Sequence, residues 1–222
     1  MFPGTCAVCG CGFTGAVQIR YGLCDECRAS ITVEADGRCN LCGKPLISEK
    51  ETCLSCRNGK KRFYDRLWTL FPYAGKYRRL LASYKFEKNA ALAVFFAEEV
   101  LKVINSDPIL KEADIVPVPP RPGKIKESGW DQVECLVKRL EKSSQIKVNR
   151  CLKRRKSEVQ KRLGRTERLE NLKGRVFLNG NAPKAAIVID DVITTGSTME
   201  VCCAALKEGG SGKVYGLCLF YD

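Results

Sequence analysis

Cys6 and Cys9, Cys24 and Cys27, Cys39 and Cys42, and Cys53 and Cys56 form four Cys-x-x-Cys pairs, taking eight of the fourteen cysteines in the chain. One such pair lets two thiolates converge on one ion, and two pairs complete the tetrahedron that zinc prefers. Gly10 and Gly43 directly follow two of the pairs, where a missing side chain relieves crowding as backbone amides turn toward sulfur. The pattern predicts two closed structural zinc sites. Sequential grouping of the pairs gives two ribbons and interleaved grouping gives a cross-brace; the spacing permits both. Cys11 also stands at a permitted spacing from Cys6 and can replace Cys9, but the expectation is that it is not a ligand. There is no histidine. Its absence removes mixed Cys/His zinc sites and the commonest general base. The other cysteines, Cys135, Cys151, Cys202, Cys203 and Cys218, are scattered and read as buried apolar residues.

The second chemical segment is AIVIDDVITTGST, from Ala186 to Thr198. An apolar strand ends in Asp190 and Asp191, a short hydroxyl-rich loop follows, and a helix begins. That order puts backbone amides, hydroxyls and a helix N-terminus at the carboxyl end of a parallel strand, where α/β sheets bind phosphate. Gly196 lets the backbone approach the ligand, and Thr194, Thr195, Ser197 and Thr198 supply donors. The carboxylates suit the vicinal hydroxyls of a ribose. This segment resembles the phosphoribosyl pyrophosphate (PRPP) motif of type I phosphoribosyltransferases. The resemblance implies that Asp190 and Asp191 hold the ribose hydroxyls, that Thr194 to Thr198 hold the 5′-phosphate, and that Mg²⁺ accompanies the pyrophosphate.

The elements that must position these residues are legible in the rest of the chain. Strands are expected at Leu67–Tyr73, Asp114–Pro119, Lys184–Asp190 and Lys213–Phe220. Helices are expected from Tyr77 to Tyr84, Ala90 to Ile104, Trp130 to Leu140 and Ser197 to Lys207. The alternation predicts an α/β domain over residues 63–222 with a mainly parallel sheet. Residues 1–58 are too poor in apolar runs to build a core and need metal to fold; Gly59 to Arg62 reads as a basic linker. Hydrophobic residues are 45% and charged residues 28% of the chain, the balance of a soluble globular protein. No apolar run is long enough to span a bilayer, so no membrane insertion is expected. The start, MFPGTCAVC, lacks a basic stretch followed by an apolar core, which points to the cytoplasm. The formal net charge is +13, and counting two zinc ions on eight thiolates leaves about +9. That excess suggests a polyanionic partner.

Over nearly its whole length the chain resembles the ComF family. The resemblance is carried by the paired knuckles, then FPYAGKYRRLLASYKF, DIVPVPP, SGWDQVECLV, CLKRRKSEVQKRLGRTERLENLKGRVF and IVIDDVITTGST, in that order. It implies a zinc-ribbon module joined to a type I phosphoribosyltransferase-like sheet with helices on both faces. It also implies handling of single-stranded DNA in natural transformation, with a competence helicase or recombination factors as partners. One departure is the turn Ser128-Gly129-Trp130-Asp131-Gln132, where the family usually has Arg-Gly-Phe-Asn-Gln. The family's spaced Gln, Arg and Asn are present as Gln160, Arg168 and Asn171. Arg121 and Lys124, in the turn after DIVPVP, and Lys85, between Tyr84 and Phe86, are candidates to meet the pyrophosphate. Between Arg150 and Arg175 stand eleven Lys or Arg against three Glu, so Lys153, Arg154, Arg155 and Lys156 are candidates for nucleic-acid phosphates. In phosphoribosyltransferases this region corresponds to a loop that closes over the site. Three functions compete: a PRPP- and single-stranded-DNA-binding factor, a transferase that moves the phosphoribosyl group to a nucleobase or amine, and a regulator that senses PRPP.

Overall fold

The computed structural model describes residues 4–33, 37–59, 62–143, 146–155 and 174–222. Four parallel strands form its sheet: β1 (Arg66–Pro72), β2 (Asp114–Pro117), β5 (Ala185–Ile193) and β6 (Lys213–Tyr221), in the order β1-β6-β5-β2. β5 and β6 are central and almost wholly buried, which is why they read as continuous apolar runs and not as alternating ones. The outer edge of β2 is covered by the segment around Val148, whose neighbours Lys147 and Asn149 bond the backbone of Ile115.

The sheet is covered on both faces. α4 (Lys76–Lys85), α5 (Leu92–Ser106) and α8 (Gln132–Ser143) pack on one, around Tyr84, Phe96, Ile187, Ile189 and Leu217. The other face carries α9 (Ser197–Glu208) and the antiparallel hairpin β3–β4 (Leu152–Arg154 and Val176–Leu178), around Met199, Cys202, Val188 and Cys218. α9 sits low on β6 because Gly216 has no side chain: a β-carbon there would collide with Leu67 Cδ1 and Met199 Sδ. Short helices α6 (Pro108–Lys111) and α7 (Lys124–Ser128) flank β2; these and the hairpin were not evident from periodicity, being too short to show one. Among the described residues no helix is long and apolar enough to cross a membrane.

The cysteine-rich segment lies against this sandwich. Its first half carries α1 (Ala16–Tyr21) and α2 (Asp25–Ser30), with Cys6, Leu23, Cys24 and Ile31 buried in the α4/α5 core. Tyr21 Oη donates to Glu98 of α5 at 2.8 Å. The second half, with α3 (Leu54–Arg57), lies on the free edge of β1. There the Gly43 carbonyl accepts from Thr69 Oγ1 at 2.9 Å and from Arg38 at 3.1 Å.

β5 does not stop at Asp190 but runs on to Ile193, because β6 continues to Tyr221 and pairs with it through Val192–Phe220 and Ile193–Tyr221. Both acids therefore lie within the strand.

Candidate functional site

The eight paired cysteines gather into two groups, Cys6, Cys9, Cys24 and Cys27, and Cys39, Cys42, Cys53 and Cys56, with all four sulfurs of a group within 4.8 Å of one another. The grouping is sequential. Zinc–sulfur bonds of about 2.3 Å in a tetrahedron require sulfurs about 3.8 Å apart. Cys9 and Cys24 stand at 3.8 Å, and Cys42 and Cys53 at 3.7 Å. Backbone amides of Val8 and Cys27 point at the Cys6 and Cys24 sulfurs, and that of Cys53 at Cys39. Gly10 and Gly43 adopt φ of 77° and 68°, and their amides bond back to the carbonyls of Cys6 and Cys39. The two knuckles thus repeat one turn, and each glycine is there for a left-handed backbone. Four soft thiolate donors in a closed, partly buried set fit structural zinc. Cys11 lies outside both sets, its carbonyl accepting from the Cys6 amide at 2.8 Å. Cys151, Cys202, Cys203 and Cys218 are buried and Cys135 half-buried.

The second site forms at the carboxyl end of β5. Alternation along the strand sends the two aspartates to opposite faces. Asp190 faces α9 and shares a cavity of about 40 Å³ with Thr194 to Met199 and Cys218. Gly196, at φ 77°, caps α9, and the Thr195 and Ser197 hydroxyls lie 2.9 Å apart, so hydroxyls and the helix start converge beside Asp190. Thr194 is exposed, and Thr195 and Thr198 are half-buried. Burial, and then the charge of Asp191, push the Asp190 carboxyl well above the usual range.

Asp191 faces α4 and α8 and is only 5% exposed. Its Oδ2 meets Lys85 Nζ at 2.7 Å and accepts from Gln132 Nε2 at 2.7 Å. Burial opposes its charge, but Lys85 and the Gln132 amide outweigh burial and hold its carboxyl below the usual range. β2 pairs Pro117 with Ile189, so the turn that follows starts beside the acids. From that turn Lys124 Nζ reaches Gln132 Oε1 at 2.6 Å and Asp131 Oδ2 at 2.7 Å. Lys85 and Lys124 are thus joined to Asp191 in one network, whereas Arg121 is exposed and paired with Glu127. Gln132 and Asp131 were missed as site residues. Their signal lay in the SGWDQ turn, where the family glutamine is retained, but the contact with Asp191 spans 59 positions.

The basic candidates lie elsewhere, on the hairpin. Lys153 and Arg155 are exposed and Arg154 half-buried, and the Arg155 guanidinium lies 5.0 Å over the Phe177 ring. Lys156, Gln160, Arg168 and Asn171 lie outside the described residues. Of the aromatic residues near the sheet, Tyr64 and Tyr84 are buried, while Trp68, Tyr73 and Tyr77 are half-buried.

Two four-cysteine ribbons set on a parallel α/β sandwich, with an acid pair and a hydroxyl loop toward the end of its central strand, define a zinc-ribbon protein with a mainly parallel α/β domain. Residues 1–57 match the double zinc ribbon domain. The chain is similar to competence protein ComFC of Bacillus subtilis, with 26% identity over 85% of this chain and 79% of that protein. It is also similar to competence protein ComFC of Streptococcus pneumoniae, with 27% identity over 86% and 84% of the two chains. DNA utilization protein YhgH of Escherichia coli K12 is 25% identical over 98% and 96%. These similarities, which run over most of the chain, support the resemblance to the ComF family.

Proposed function

We propose that this protein binds PRPP with Mg²⁺ at the carboxyl end of β5 and binds single-stranded DNA, serving DNA uptake or utilization as the names of its relatives suggest. The observation that carries the reading is the placement of Asp190 in one cavity with the Thr195 and Ser197 hydroxyls and the capped start of α9. A carboxylate is the acceptor that a ribose diol needs, and hydroxyls, amides and a helix N-terminus are what a 5′-phosphate needs. Lys85 and Lys124 supply cations on the neighbouring side, where a diphosphate would bring its charge and its Mg²⁺. Catalysis on such a site would come from positioning and charge, so the lack of histidine leaves transfer open as chemistry. The zinc ribbons serve as structure, their sulfurs being consumed by metal.

The test is binding of PRPP and of labelled single-stranded DNA to one preparation, with and without Mg²⁺. Binding of both ligands supports the reading. A preparation that keeps its zinc and binds neither contradicts it.

A further inference from the structure

The polar cluster between Asp191 and Lys124 is built around a buried glutamine. Gln132, the first residue of α8, is 6% exposed. Both ends of its amide are engaged: Nε2 donates to Asp191 Oδ2 at 2.7 Å, and Oε1 accepts from Lys124 Nζ at 2.6 Å. Its backbone is fixed as well, because the Gln132 carbonyl accepts from Tyr84 Oη at 2.6 Å. Tyr84 is fully buried and held edge-on by Phe96 at 5.0 Å and Trp130 at 5.8 Å. The two charged neighbours have second partners of their own. Lys85 meets Asp191, and Asp131, 8% exposed, meets Lys124 at 2.7 Å while accepting from the Glu134 amide.

We infer that Gln132 is a positioning residue that couples the two sides of the ligand site, tying the carboxylate of Asp191, next to the ribose acceptor Asp190, to the ammonium of Lys124 on the diphosphate side. A neutral amide is the side chain suited to this place, since it donates to an anion at one end and accepts from a cation at the other. Glutamate would keep the acceptor for Lys124 but set a second anion against Asp191. Methionine would fill the space and make neither bond. Held this way, carboxylate and ammonium form one unit, so a ligand that engages one end finds the other already in place. The coupling is local, carried by two short hydrogen bonds in a buried setting where they are strong.

This inference rests on the PRPP reading, and the experiment separates the two. Calorimetric affinities are measured for Mg²⁺–PRPP and for ribose 5-phosphate, which offers the same sugar and 5′-phosphate without the diphosphate. The proteins are wild type, Lys124→Met, Asp191→Asn and the double variant, then the same set carrying Gln132→Met. With Gln132 present, the Lys124 and Asp191 substitutions are expected to be non-additive for PRPP by about tenfold, the scale of one hydrogen bond to a charged group. With Gln132→Met they become additive, and the single variant loses about tenfold in ribose 5-phosphate affinity. If Gln132→Met fails to fold, judged by zinc content and melting, Gln132→Glu replaces it and is expected to weaken both ligands. Equal non-additivity in both backgrounds, or wild-type affinities in Gln132→Glu, overturns the inference alone. A wild-type protein that binds neither probe overturns the PRPP reading and the inference with it.

Discussion

Asp190 and Asp191 are sequence neighbours with opposite electrostatics. Asp191 is ionised by Lys85 and Gln132 against the cost of burial, while Asp190, buried beside that charge, has its carboxyl pushed up. A carboxyl whose folded pKa lies above its unfolded value loses stability on ionising. The loss begins as pH rises past the unfolded value, near 4 for an aspartate, and is complete above the raised folded value. Asp190→Asn should therefore melt higher than wild type at pH 8, with the difference shrinking toward zero as pH falls into the ordinary carboxylate range. Paired thermal melts across that window check this, and an Asn variant less stable at pH 8 would contradict it. The cysteines give a second test at this scale. Cys9→Ser should lose about one equivalent of zinc and Cys11→Ser none, as read by metal analysis, since only Cys9 lies within its sulfur group. The pairs and the acid–hydroxyl run were legible in the sequence because each is contiguous. The grouping of the pairs was not, since the spacing from Cys27 to Cys39 allows either arrangement. Nor were the opposite directions of the two aspartates, which follow from three further residues of strand, Asp191 to Ile193, that only pairing with β6 specifies.

Among elements, the sheet was readable from its buried strands, whose apolar runs in β5 and β6 leave little choice. The order β1-β6-β5-β2 was not, because strand order is set by which faces the crossing helices cover. Gly216 shows how tightly one face is closed, with Leu67 and Met199 filling the space its side chain would take. Gly216→Ala should destabilise the fold by about 1–3 kcal/mol, the usual cost of overpacking a core. Denaturant unfolding measures it, and an unchanged midpoint would show that α9 can lift from β6. The docking of the second ribbon on β1 has a different origin. Thr69 is buried in an edge strand and spends its hydroxyl on the Gly43 carbonyl, so the ribbon covers a strand edge that would otherwise be open. A polar residue inside an apolar run, Trp68 to Phe71, is the only mark this left in the sequence.

For the whole molecule, charge and the acid-loop site make separate demands. The excess positive charge remaining after zinc predicts DNA binding that weakens with salt, by about 0.7 log units of affinity per log unit of salt for each phosphate contacted. Replacing Lys153, Arg154 and Arg155 with glutamine should flatten that slope in fluorescence titrations while leaving PRPP affinity nearly unchanged, since the three side chains sit on the hairpin and not at the Asp191 network. Loss of PRPP binding with DNA binding intact would move the stretch into the ligand site. PRPP binding is proposed at the carboxyl end of β5. Calorimetric titration of Mg²⁺–PRPP into wild type and into the Asp190→Ala, Asp191→Ala double variant, both checked for two zinc ions per chain, tests it in one experiment. Saturable binding to wild type that the double variant abolishes, with zinc content retained, is expected; equal affinity in the two proteins would contradict PRPP binding at this site.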